Sequence, residues 1–130
     1  MDRERRGHPR ISLSLRVFYR VKDSLTAVML VDDREITAEM LDLSSLGIAL
    51  LSHYSIPVGT KADLKFSLID ISQPGIFSAH GPIRALGIVR NNTLLKGKRR
   101  LGIEFLEISA KDRNIINNFI ETILESGPII

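Results

Sequence analysis

The chain predicts a mainly β domain of six or seven short strands, arranged as a barrel or sandwich and followed by one C-terminal helix. Three observations carry this. Apolar residues recur at every second position in several segments, turn-forming residues interrupt the chain at short intervals, and the period becomes helical only near the end. At 130 residues the chain is most simply one domain, and 44% apolar against 25% charged residues is the balance of a folded protein rather than a disordered one.

Residues 1–10 hold almost no apolar side chain and are expected to form a flexible, arginine-rich arm, with the folded domain running over 11–126. Positions 11, 13, 15, 17, 19 and 21 are all apolar, with mainly polar residues between them, which predicts a long strand with one wet face. Leu25–Val31 is an apolar run of strand length, and Asp32-Asp33 a turn. Ile36–Leu41 and Gly47–Leu51 then flank a short polar turn. Beyond the break at Pro57-Val58-Gly59, Leu64, Phe66 and Leu68 alternate with Asp63, Lys65 and Ser67. Ser72-Gln73-Pro74-Gly75 is turn chemistry. Residues 76–90 form a broken strand in which Gly81-Pro82 marks a bulge or a sheet edge. Residues 91–100 are expected to be a polar connection, after which Leu101, Ile103 and Phe105 resume the alternation.

The last segment is different. Ile115, Phe119 and Ile123 are spaced by four, as are Ile116, Ile120 and Leu124, so one apolar stripe runs along a helix over 110–126. Ser109, with Asp112 three residues later, is a variant of the capping box, and Gly127-Pro128 supplies the stop.

Composition excludes several kinds of chemistry. With no cysteine, the chain has no disulfide, thiolate metal site or cysteine nucleophile. His8, His53 and His80 lie far apart without ligand spacing, so no metal or other cofactor is expected. His8 reads as an exposed spacer, and the other two as surface or structural residues. No nucleophile–base pair or phosphate-cradling glycine loop is present, which argues against an enzyme. No apolar run approaches the roughly 20 residues of a membrane helix, and no apolar stretch follows the charged N-terminus, so a cytoplasmic protein without membrane insertion is expected. The net charge of +3 is mild, but the basic residues are clustered. Arg3, Arg5, Arg6 and Arg10 fall in the first ten positions, and Lys96, Lys98, Arg99 and Arg100 fall within five, which favours anionic partners.

Two segments carry the functional signal. Arg5-Arg6-Gly7-His8-Pro9-Arg10 contains RxxxR, read by Arg6 and Arg10 with Arg5 in front. Asp42-Leu43-Ser44-Ser45-Leu46-Gly47 contains DxSxxG, read by Asp42, Ser44 and Gly47. Alone, the first is a solvated tail and the second an ordinary turn. In this order, about 30 residues apart and followed by strands and a helix, they resemble the paired signature of the PilZ domain family. Arg100-Leu101-Gly102-Ile103-Glu104-Phe105 also resembles the family's last-strand pattern, a basic residue followed by GxxF. The likeness spans nearly the whole chain. It implies a six-stranded antiparallel PilZ-type β-barrel with a C-terminal α-helix. It also implies a bacterial second-messenger receptor for cyclic di-GMP, in which Arg6 and Arg10 meet phosphate and guanine while Asp42 and Ser44 meet guanine. In relatives an arginine at the Arg5 position accompanies a stacked, intercalated ligand dimer.

The residue types suit that ligand. The planar arginine fork makes bidentate bonds to phosphate and to the O6 and N7 acceptors of guanine, and stacks on bases. A carboxylate at Asp42 accepts from guanine N1 and N2, which selects guanine over adenine on that edge. Gly47 is expected to provide positive φ and to clear space for the ligand. Three charge-assisted contacts at about 1.5–3 kcal/mol each bring affinity to about the micromolar range before ordering costs.

The expected mechanism is ordering of the arm by ligand, which creates a surface for a separate, unidentified effector protein. A ligand-independent PilZ-like adaptor is the alternative. A DNA or RNA binder is disfavoured because the chain has seven aromatic residues, none of them Trp, and most Phe fall at core positions. The Lys96–Arg100 run reads as a hairpin tip that adds long-range attraction or meets an acidic partner.

Overall fold

The computed structural model of the protein describes residues 10–22, 31, 34–73 and 76–126. Six antiparallel strands close into a barrel. In chain order they are β1 (Arg10–Lys22), β2 (Ile36–Ser44), β3 (Gly47–Ser52), β4 (Lys61–Gln73), β5 (Ile76–Leu95) and β6 (Lys98–Ile108), and helix α1 (Ala110–Ser126) follows. Around the barrel the order is β1-β2-β3-β6-β5-β4, with β4 returning to β1. This is the six-stranded antiparallel barrel with a C-terminal helix that the resemblance implied.

The alternation read from β1 is the inside–outside alternation of the barrel. Val17, Tyr19 and Val21 are buried, while Arg16, Arg20 and Lys22 are exposed. Leu64, Phe66 and Leu68 of β4 and Leu101, Ile103 and Phe105 of β6 complete the same core. On α1 the stripe is buried at Ile116, Phe119 and Ile120, with Ile115 and Ile123 packed beside it and Leu124 38% exposed. The helix thus shuts off the core, and each large aliphatic side chain it buries contributes about 1.5–3 kcal/mol.

The helix N-terminus is capped as expected on one side only. Asp112 N–H donates to Ser109 Oγ at 3.0 Å. The Asp112 carboxylate does not complete a box, because its Oδ2 accepts from the Arg84 backbone N–H at 3.2 Å and ties the helix to β5.

Several expectations change. The polar connection over 91–100 is mostly strand: β5 runs on to Leu95, β6 starts at Lys98, and only Lys96 and Gly97 turn, with φ of 52° and 76°. Both are left-handed, as a two-residue hairpin of this hand requires. The hairpin looked like a loop because its strands run past the core, where neither face needs apolar residues. The bulge reading of Gly81-Pro82 holds, since β4 and β5 shift register between Phe66 and Leu68 opposite these residues; with the ring of strands closed, the edge reading does not. Of the strand expected over 25–31, only Val31 is described, and it is buried and helical. The turns at 32–33 and 74–75, the stop at 127–128, His8 and the arm up to residue 9 lie outside the described residues.

Candidate ligand-binding groove

In β2 the positions Ile36, Ala38 and Met40 point into the core, and unbroken alternation would send Asp42 and Ser44 inward too. It does not, because β2 carries one extra residue, Leu41, against β3: Met40 pairs with Leu50 and Asp42 with Ala49. This bulge reverses the phase, so Leu43 is buried and Asp42 and Ser44 face outward. A second bulge, at Arg90, lies on the other side of the β3–β6 pair, where Val89 pairs with Ile103 and Asn91 with Gly102. Between the two bulges lies a shallow groove of about 310 Å³, with Gly47, Ala49 and Gly102 among its lining, Asp42 and Ser44 on the β2 side, and Arg90 and Asn91 on the β5 side.

Asp42 is already engaged. Its Oδ2 accepts from Arg100 Nη2 at 3.3 Å, across the width of β3, and the two side chains are 20% and 29% exposed. Arg90 Nε donates to Glu104 Oε1 at 2.6 Å on the opposite wall, and Asn91 Oδ1 accepts from Gly102 N–H at 3.1 Å. Among the described residues the groove therefore holds two cations and two carboxylates, with no surplus of positive charge.

The turn of the second motif is fixed from three sides. Ser44 Oγ accepts from Leu46 N–H at 3.2 Å. The Leu46 carbonyl accepts from Phe105 N–H at 2.8 Å, and Arg113 of α1 donates to the Ser45 carbonyl. Gly47 is needed here for a reason other than the one expected. Its φ is not positive, but a Cβ on it would stand 2.1 Å from the Ile103 carbonyl oxygen of β6. Glycine allows the two strands to approach at the rim of the groove.

Of the first motif, Arg10 opens β1 and pairs in the ladder with Ser44, so the start of the barrel lies beside the DxSxxG turn. Arg5 and Arg6 lie outside the described residues. A larger depression, of about 870 Å³, is lined by Phe18, Lys65, Arg84 and Arg113, among others. It contains neither motif, and Lys65 there is paired with Glu35 at 3.4 Å, so the smaller groove is the candidate. His53 and His80 are exposed, and among the described residues no group of His, Asp and Glu is placed to hold a metal ion. No described helix is long and apolar enough to cross a membrane.

Known proteins resolve what this barrel and groove belong to. A family model for the PilZ domain matches residues 4–122. The chain belongs to the PilZ domain family. Among solved structures it is similar to the Bacillus subtilis inhibitor of motility MotI/DgrA, with 20% identity and a TM-score of 0.72, over 95% of this chain and 53% of that one. The chain thus spans about half the length of that protein. It is also similar to the PilZ domain of YcgR from Escherichia coli, solved with c-di-GMP, with 17% identity, a TM-score of 0.60, and 93% and 92% of the two chains covered. A tetrameric PilZ protein from Xanthomonas campestris aligns at 12% identity with a TM-score of 0.58, over 89% and 87%. No curated protein matches by sequence.

In this PilZ domain, four polar groove residues stand outside both motifs: Arg90, Asn91, Arg100 and Glu104. Sequence reasoning missed the first two entirely. Arg100 was visible as the basic residue before Leu101-Gly102 but was grouped with the hairpin tip. The strand alternation of Leu101, Ile103 and Phe105, continued backward, would have placed Arg100 on the outer face beside Gly102.

Proposed function

We propose that this PilZ domain is a receptor for cyclic di-GMP, which it holds between the arm and the β2–β3–β6 groove. The observation that carries the reading is the pairing of Arg10 with Ser44, which joins the RxxxR segment to the DxSxxG turn at one rim. The charge balance of the groove supports it. A ligand with two phosphates requires cations, and the described groove has none in excess, so Arg5, Arg6 and Arg10 supply them. Asp42 and Ser44 meet guanine, with Gly47 setting the close strand approach beneath them. Ligand bridging arm and barrel orders the arm and presents a new surface to an effector protein. The YcgR domain solved with c-di-GMP supports the ligand class.

The competing reading is an adaptor that works through protein contacts alone. It has in its favour that the Asp42 carboxylate is occupied by Arg100, and the similarity to an inhibitor of motility is compatible with it.

Isothermal titration calorimetry with cyclic di-GMP, with GTP and cyclic di-AMP as controls, separates the two. Saturable heat with cyclic di-GMP alone is expected, with loss of binding in Arg6→Ala and Arg10→Ala while circular dichroism is unchanged. About two ligands per chain would support the stacked dimer and a role for Arg5. Absence of heat, or binding that survives both substitutions, would overturn the receptor reading.

A further inference from the structure

We infer that Arg100 is a specificity-determining residue of the groove, and that the Asp42–Arg100 pair, rather than Asp42 alone, distinguishes guanine from adenine. The inference rests on the receptor reading and adds a residue that lies outside both motifs.

The argument begins with the placement of the two groups. Asp42 stands on β2 and Arg100 on β6, the two neighbours of β3, and their side chains meet at 3.3 Å over that strand. Of the guanidinium nitrogens, only Nη2 is engaged among the described residues, through one of its two hydrogens, which leaves the other Nη2–H with a neighbouring N–H as a donor fork on a residue that lines the groove. The carboxylate has used Oδ2 and keeps Oδ1 as an acceptor. An acceptor and a donor fork therefore stand side by side in the lining of one groove.

Guanine presents the complementary pattern around one side of the ring. N2–H and N1–H donate, and next to them O6 and N7 accept. A base whose N1–N2 edge faces Asp42 places O6 next to that carboxylate, on the side where Arg100 stands. Adenine reverses the order, with an acceptor at N1 and a donor at N6. Against the same pair it would set acceptor to carboxylate and donor to guanidinium, leaving buried polar groups unmatched. Nearby Gly47, Ala49 and Gly102 contribute no large side chain that would hold a flat base off this pair.

The ion pair has a second effect. A carboxylate anchored by Arg100 across β3 cannot turn away from the groove, so the acceptor is aimed before ligand arrives. Arg100 thus acts both by direct donation and by positioning Asp42, and a lysine in its place would keep the ion pair but lose the fork.

The test is a protein–ligand cycle read by calorimetry, with cyclic di-GMP, its 7-deazaguanine analogue and cyclic di-AMP against the wild type, Arg100→Ala and Arg100→Lys. The wild type should prefer cyclic di-GMP to the 7-deaza analogue, and this preference should shrink about five- to hundredfold or vanish in Arg100→Ala, the range of one bidentate base contact. Arg100→Lys should retain binding but not the preference. Selectivity against cyclic di-AMP, which rests on O6 and N1 rather than on N7, should also fall in Arg100→Ala. Thermal unfolding monitors the fold, and the analogue series with the wild type needs no variant. If the wild type binds cyclic di-GMP with no preference over the 7-deaza analogue, or Arg100→Ala keeps both preferences, the inference is overturned while the receptor reading stands. If the wild type does not bind cyclic di-GMP at all, both fall together.

Discussion

Tyr19 points into the barrel with a hydroxyl at its tip, and fully buried Ser52 meets that hydroxyl at 2.6 Å. Ser52 Oγ also accepts from the Tyr54 backbone N–H at 3.1 Å, so the pair links β1, β3 and the loop after β3. Burial pushes the Tyr19 phenol above its ordinary value of 10.0, the hydrogen bond to Ser52 opposes the shift, and Tyr54 adds to it. The proton is thus held more tightly in the folded chain. The corresponding stability is fully present below pH 10.0 and is lost as pH rises through the higher native value. Tyr19→Phe should cost about 1 kcal/mol at neutral pH through the unpaired Ser52 hydroxyl. It should also flatten the alkaline fall in stability, as read by urea unfolding at a series of pH values. Gly47 gives a second prediction at this scale. With a Cβ 2.1 Å from the Ile103 oxygen, Gly47→Ala must push β3 and β6 apart, and a loss of about 1–3 kcal/mol is expected in the same unfolding experiment. Neither requirement was readable in the residue types, since a buried tyrosine and a glycine after a turn each have commoner explanations.

Helix α1 does more than cover the core. Its first turns are tied by Asp112 to the Arg84 backbone of β5 and by Arg113 to the Ser45 carbonyl, within the DxSxxG turn. Arg113 also lines the larger depression, so it is shared between that surface and the candidate groove's turn. Arg113→Ala should lower stability by about 0.5–1.5 kcal/mol, the usual worth of one such bond. It should also weaken cyclic di-GMP binding, with little change for a control substitution at exposed Leu124; unfolding and calorimetry on the same variants check both. The elements themselves were largely legible. β1, β4, β6 and α1 each keep one face wet and one face dry, and a period survives in the sequence wherever that holds. It was lost in the outer half of the β5–β6 hairpin, where both faces are wet. It was also lost at Leu41, where a bulge reverses the phase that simple alternation would carry through Asp42.

At the scale of the molecule the two motifs were visible, but the ion pair that Asp42 of the second motif makes was not. Asp42 and Arg100 are 58 positions apart, and no local spacing links them. They meet because β2 and β6 both pair with β3, a fact of barrel order rather than of sequence pattern. The same order has a kinetic consequence. The ladder that closes the ring, β1 with β4, joins residues about forty to fifty positions apart, and β3 with β6 joins residues at a similar or greater separation. Such non-local pairings slow the search for the native state, placing barrels of this kind in roughly the millisecond-to-second range. The Asp42–Arg100 pair exists only after β3 and β6 have zipped. Under the proposed function, a nascent chain therefore has no partly assembled site to offer, and competence to sense ligand arrives together with the final topology.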